Sequence, residues 1–129
     1  MAEETTEVTQ GDGYAVANLD SLGEGPGFRK VRRQLDVSEF GVNAIVIPAG
    51  YAGPAHYHDE QEELYFVHAG TLQFTFGDGG EFTLGPGGLA RVDAATHRKV
   101  KNVGDEDAVY VCVGAKGGYV GRDGQPVDA

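Results

Sequence analysis

Leu72-Gln73-Phe74-Thr75-Phe76-Gly77-Asp78-Gly79-Gly80-Glu81-Phe82-Thr83-Leu84 decides the fold class of this chain. Apolar and polar residues alternate over 72–76 and again over 81–84, the period of a strand with one buried face, because successive strand side chains point to opposite sides. Four turn-forming residues, 77–80, separate the two runs, so the stretch reads as a β-hairpin. Downstream, the turn 85–88 leads to a strand over 89–92, a further strand starts near His97, and residues 108–113 form another after the turn 104–107. Upstream, residues 42–47 read as a buried strand closed by Pro48-Ala49-Gly50 and Gly53-Pro54. Short strands at this spacing predict an all-β sandwich or barrel. The 21 glycines and five prolines agree, since they punctuate the chain too often for long helices.

The chain has 129 residues, which suits one domain with one core and is far below the roughly 250 residues of a (β/α)₈ barrel. Ten Lys and Arg against twenty Asp and Glu leave a net charge of −10, a field that repels phosphate backbones and anionic lipid, so no nucleic acid and no membrane are expected as partners. No uncharged apolar run is long enough to span a bilayer. Cys112 is the single cysteine and excludes an intrachain disulfide; it reads as a small buried side chain. The first residues lack a basic patch followed by an apolar stretch, and the expected location is cytoplasmic.

Residues 1–12 are acidic and polar and read as a disordered tail, leaving 13–129 as the domain. The glycine-rich segment 23–27 reads as a loop, and its Gly-x-Gly steps do not follow a strand as a dinucleotide site requires. Residues 28–37 place basic side chains on both faces, the pattern of an edge strand that resists pairing with other molecules; an anion-binding patch is the alternative reading. The glycine-rich tail after Gly114 reads as a loop packed on the surface.

The chemistry sits just after residue 54. His56 and His58 flank Tyr57, and on a strand their Cα atoms stand about 6.6 Å apart with both imidazoles on one face, within reach of one ion. Glu62 and Glu63 both offer a carboxylate after the turn-prone Asp59-Glu60-Gln61. The strand that follows favours Glu63: with Glu63 inward, Tyr65 and Val67 also point inward, while Leu64, Phe66 and His68 face out and require cover from a second sheet or a partner subunit. His97, at the start of a later strand, is the fourth candidate ligand. His68 lies on the opposite face and reads as a surface histidine. The His-x-His-x-Asp-His run of metallo-hydrolases fails because Glu60 and Gln61 stand in its last two places, and His-Glu-x-x-His is absent.

Gly50, five residues, His56, one, His58, four, Glu63, six and Gly70 match every fixed position of the first cupin motif, so residues 28–115 resemble the cupin family. The resemblance implies a jelly-roll barrel, an architecture for which cupins are a standing example, with a metal at its centre. The second motif has Pro-x-Gly, two residues, His, three residues and Asn. Here His97 fits its histidine, Val92-Asp93-Ala94 stands where Pro-x-Gly is usual, and Asn102 falls one residue late. An extra residue near Arg98-Lys99, a β-bulge, is expected to return Val100 and Asn102 to the interior.

The metal ligands expected from this reading are His56, His58, Glu63 and His97, with Glu63 as a base and Tyr65 as a hydrogen-bonding group in any catalysis. Such a set suits one divalent transition-metal ion, Fe, Mn, Ni, Cu or Zn. The first expectation is a metal-dependent oxygenase-type enzyme acting on a small organic molecule, as a homodimer joined through the outer sheet face and the 28–37 strand. The alternatives are a non-catalytic small-ligand-binding module and a metal-free, non-redox isomerase or lyase, since one scaffold hosts many functions.

Overall fold

In the computed structural model, which describes residues 7–127, the alternating runs pair as expected. The strands are β1 (Thr9–Gly11), β2 (Tyr14–Val16), β3 (Gly27–Arg29), β4 (Gly41–Ile47), β5 (His56–His58), β6 (Glu62–Ala69), β7 (Leu72–Phe76), β8 (Glu81–Leu84), β9 (Leu89–Val92), β10 (Arg98–Asn102), β11 (Ala108–Ala115) and β12 (Gly124–Pro126). A 3₁₀ turn, Leu19–Ser21, and one helical turn, α1 (Val31–Gln34), complete the elements. The sequence-deciding hairpin is β7–β8, with Leu72 opposite Leu84 and Phe74 opposite Phe82.

Ten of the strands form two five-stranded antiparallel sheets, β12-β5-β10-β7-β8 and β3-β4-β11-β6-β9, packed as a jelly roll. The core lies between them: Ile45, Ile47, Tyr65, Val67, Leu72, Phe74, Val92, Val100 and Ala108 are buried. Along β6 the alternation is complete, with Glu63, Tyr65 and Val67 buried and Glu62, Leu64, Phe66 and His68 exposed. β8 is a sheet edge, and its Phe82 stays largely exposed despite the alternating pattern.

Gly70, the last fixed residue of the motif, closes the β6–β7 turn at φ +84°, and a Cβ there would stand 2.6 Å from Cβ of Ala108. Only glycine meets both demands. Asn102, fully buried, ties the turn after β10 to the neighbouring sheet: its Nδ2 donates to the carbonyls of Ile47 (3.0 Å) and Glu106 (2.7 Å), and its Oδ1 accepts from the Gly104 amide (2.9 Å).

Four expectations change. The 28–37 strand is an edge strand only over β3, after which Lys30 to Gln34, a run without glycine, proline or a side chain that competes for backbone hydrogen bonds, turns into α1. Of the expected tail, residues 1–6 lie outside the described residues, and Thr9–Gly11 pairs with Tyr14–Val16 as a small separate hairpin. β10 carries no bulge: it pairs with β7 in unbroken register from Arg98–Phe76 to Asn102–Leu72, whereas the one irregularity beside β6 falls between Val109 and Tyr110 of β11. The C-terminal segment is not only a surface loop, because β12 adds to the edge of β5 and carries Asp123 into the interior.

Candidate metal centre

β5 and β6 run into one cavity of about 400 Å³ between the sheets, within the range of small-molecule sites. His56 and His58 share the inward face of β5, as their i, i+2 spacing requires, and Glu63 opens the inward face of β6. One ligand atom from each of His56, His58 and Glu63 lies within 4.8 Å of the other two. Both imidazoles and the carboxylate therefore converge on one point.

His58 shows how the donors suit a cation. Its Nδ1 is 2.8 Å from Oδ1 of Asp123, and its Nε2 is buried, without a hydrogen bond, 3.1 Å from Oε1 of Glu63. In the tautomer with the proton on Nδ1, donated to Asp123, two lone-pair atoms face each other across 3.1 Å. A positive ion between them resolves that repulsion, and a carboxylate behind a ligating histidine is the arrangement that fixes tautomer and raises ligand basicity at metal sites. The donor set thus fits a metal.

Asp123 is itself held from two sides, since its Oδ2 accepts the amides of Glu60 (3.0 Å) and Gln61 (2.8 Å). Burial pushes its carboxyl up, but the Gln61 amide, the His58 ring and the Glu60 amide outweigh burial and hold it below the ordinary aspartate range. The His56 ring is held below the ordinary histidine value, first by burial and then by the Arg98 charge, which keeps it neutral as a ligand must be.

The Tyr65 hydroxyl donates to Oε1 of Glu63 at 2.7 Å. Burial pushes the phenol far above its usual value, so Tyr65 remains a protonated donor. Burial and the neighbouring Glu63 likewise raise the Cys112 thiol, which lines the same cavity. Glu62, the competing carboxylate, is exposed and pairs with Arg91 on the outer face, and His68 is exposed as expected.

His97 is not brought to this cluster. It is exposed, one residue before β10, with its ring stacked on Tyr57 at 5.1 Å. Arg98 points inward in its place, directly opposite His56 in the sheet. Counting from Arg98, three residues lead to Asn102, the spacing of the second motif, so Arg98 occupies the histidine position and Asp93-Ala94-Ala95 the Pro-x-Gly position. No bulge is needed, because Arg98, Val100 and Asn102 alternate inward by themselves. The guanidinium is spent on the preceding loop, donating to the carbonyls of Thr96 (2.8 Å), Ala94 (3.2 Å) and Asp93 (3.3 Å), and its Nη2 stands 3.6 Å from Glu63.

Two residues of the site were not found in the sequence. Asp123 lies in a glycine-rich tail with no periodicity to mark it. Arg98 had a signal, the correct spacing to Asn102, which was outweighed by the identity of His97.

A cupin-domain family model matches residues 43–114, more than half of the chain and all three clustered ligands. The chain belongs to the cupin family. No curated protein matches this cupin in sequence. Among solved structures it is similar to a sugar phosphate isomerase of the cupin superfamily from Silicibacter pomeroyi, with 28% identity and a TM-score of 0.63 over 69% of this chain and 58% of that one. It is also similar to a predicted oxalate decarboxylase from Thermotoga maritima, with 20% identity and a TM-score of 0.56 over 59% of this chain and 65% of that one. An uncharacterized conserved protein with a double-stranded β-helix domain from Klebsiella pneumoniae matches with 19% identity and a TM-score of 0.73, over 88% of this chain and 97% of that one. The cupin thus spans less than two thirds of the first two chains and nearly the whole of the third. The latter two likenesses concern the fold. Among the described residues no helix is long and apolar enough to cross a membrane.

Proposed function

We propose that this cupin is a metal-dependent enzyme that moves a proton on a small organic molecule, a non-redox isomerase- or lyase-type activity. The observation that carries this reading is the 2.7 Å hydrogen bond from Tyr65 to Glu63 at the inner wall of the cavity. It leaves a buried carboxylate oriented by a donor that does not ionise, beside two imidazoles. The 28% identical Silicibacter pomeroyi structure, a sugar phosphate isomerase, supports the same class.

His56, His58 and Glu63 hold one divalent transition-metal ion in this reading, and the bound ion supplies Lewis acidity toward a substrate oxygen. Glu63 accepts the proton from a carbon next to a carbonyl as the C–H electron pair moves toward the carbonyl oxygen. In a hydroxy-carbonyl substrate the same carboxylate then returns the proton to the former carbonyl carbon while the hydroxyl proton passes to the former carbonyl oxygen, so the carbonyl moves by one carbon and nothing is oxidised overall. Tyr65 fixes the carboxylate rotamer and keeps its own proton. Asp123 holds His58, and Arg98 secures the loop before β10.

Incubation with small hydroxy-carbonyl compounds in D₂O tests this. Deuterium should enter at the carbon next to the carbonyl with the wild type, and at least about 100-fold more slowly with Glu63→Gln. Equal exchange by both proteins overturns the role of Glu63.

The oxygenase reading keeps one supporting observation. Two histidines and one carboxylate with further positions open is the donor pattern of non-haem Fe(II) oxygenases. Substrate-dependent O₂ uptake without deuterium exchange is the result that selects it. A homodimer is part of the proposal too, since Leu64, Phe66 and Leu89 stand exposed on the outer face of the β6 sheet and need cover. Sedimentation should show two chains, and Leu64→Glu with Phe66→Glu should yield one.

A further inference from the structure

The cavity mouth carries a feature that the metal ligands do not use. Lys30, Arg32, Arg33 and Arg122 all line it, four of the ten basic residues of a chain whose net charge is −10. The carboxylates among the described lining residues are Glu63 and Asp123, both committed to the metal centre. Among the described residues none of the four cations lies within ion-pair distance of a carboxylate. Gathering unpaired like charges around one opening costs stability, and it focuses a positive potential there against the sign of the whole molecule.

The cluster is also built. A Cβ on Gly41 would stand 3.2 Å from the Tyr119 ring, a crowded contact, so that ring packs closely against β4. The Arg32 guanidinium lies over the same ring, 4.0 Å from its centroid, which holds the side chain at the mouth by a cation–π contact. Lys30, Arg32 and Arg33 come from α1 and the residue before it, while Arg122 comes from the C-terminal segment and adjoins Asp123. Elements from both ends of the chain thus bring charge to one place, beside the catalytic pocket.

We propose that this cationic mouth binds the phosphate group of the substrate, so that the reacting carbon of a small phosphorylated molecule reaches Glu63 while its phosphate stays at the rim. The proposal rests on the proton-transfer reading of the same cavity. A phosphate monoester carries nearly two charges and three acceptor oxygens, which matches several separate donors better than a single carboxylate does. The Arg side chains offer planar forks suited to it.

Titration calorimetry of the metal-loaded protein with inorganic phosphate at low ionic strength tests this. Arg33→Gln with Arg122→Gln, both exposed and outside the packed core, should weaken phosphate binding at least tenfold with metal content unchanged. Lys99→Gln with Lys101→Gln, the same charge change on an exposed face of β10, should alter it less than twofold. Equal weakening by both pairs, or none by the arginine pair, overturns the proposal. Tighter binding of succinate than of phosphate overturns the phosphate class. Loss of phosphate binding in His56→Ala with full binding in the arginine pair places the anion on the metal, which overturns the rim site and leaves the metal reading standing. Retention of metal by His56→Ala overturns the metal reading, and phosphate affinity in the arginine pair still decides the rim.

Discussion

Asp123 and His58, 65 residues apart in sequence, are joined at 2.8 Å, and the carboxylate is pinned in turn by two backbone amides. This link sets which imidazole nitrogen faces the centre. Asp123→Asn should therefore weaken metal affinity about 10- to 100-fold, the usual effect of losing such a partner, while the circular dichroism spectrum is unchanged. Competition with a chromogenic chelator measures it, and an unchanged dissociation constant contradicts the role.

The same carboxyl sets an acid limb in stability. In the folded chain it keeps its charge to lower pH than an unfolded aspartate, whose pKa is about 4. Its contribution is present above that range and is lost as pH falls through the depressed folded value. For metal-stripped protein, thermal midpoints between pH 6 and pH 2.5 should fall less steeply in Asp123→Asn than in the wild type. Parallel curves speak against it.

Gly70→Ala tests the turn between β6 and β7. The substitution combines a left-handed backbone with a Cβ placed 2.6 Å from Ala108, and both penalties act together. A loss of about 2–4 kcal/mol in urea unfolding is expected, and a loss below about 0.5 kcal/mol would show that the turn relaxes freely.

Much of this was legible because one face of each strand meets a dry interior. In β6 the alternation that put Glu63 inside was readable from Tyr65 and Val67 on its face, provided something covered Leu64 and Phe66 on the other. The parity of His56 and His58 followed from strand geometry in the same way. β10 was harder, since Arg98, Lys99 and Lys101 give no polarity contrast and a fully buried arginine is rare. The register there depended on Val100 and Asn102, and reading His97 as the inward residue required a bulge that the strand does not contain. Asp123 could not be read at all, because its place depends on β12 pairing with β5, a long-range contact with no local pattern.

Arg98→His probes that register chemically. A neutral imidazole replaces a fixed positive charge at the inward position opposite His56, giving the centre a third nitrogen donor. Metal affinity should rise at least about tenfold, or 1.4 kcal/mol. Stability should fall, because the loop carbonyls of Asp93, Ala94 and Thr96 lose their donor. Unchanged or weaker affinity in a folded variant contradicts the placement.

The central claim is that His56, His58 and Glu63 form the metal site and that His97 stands outside it. Elemental analysis of the wild type, His56→Ala and His97→Ala, each produced with Fe, Mn, Ni, Cu and Zn supplied, tests it most directly. The wild type and His97→Ala should each carry about one equivalent of one metal per chain, and His56→Ala should lose most of it. Loss of metal from His97→Ala, or its full retention by His56→Ala, contradicts the site described.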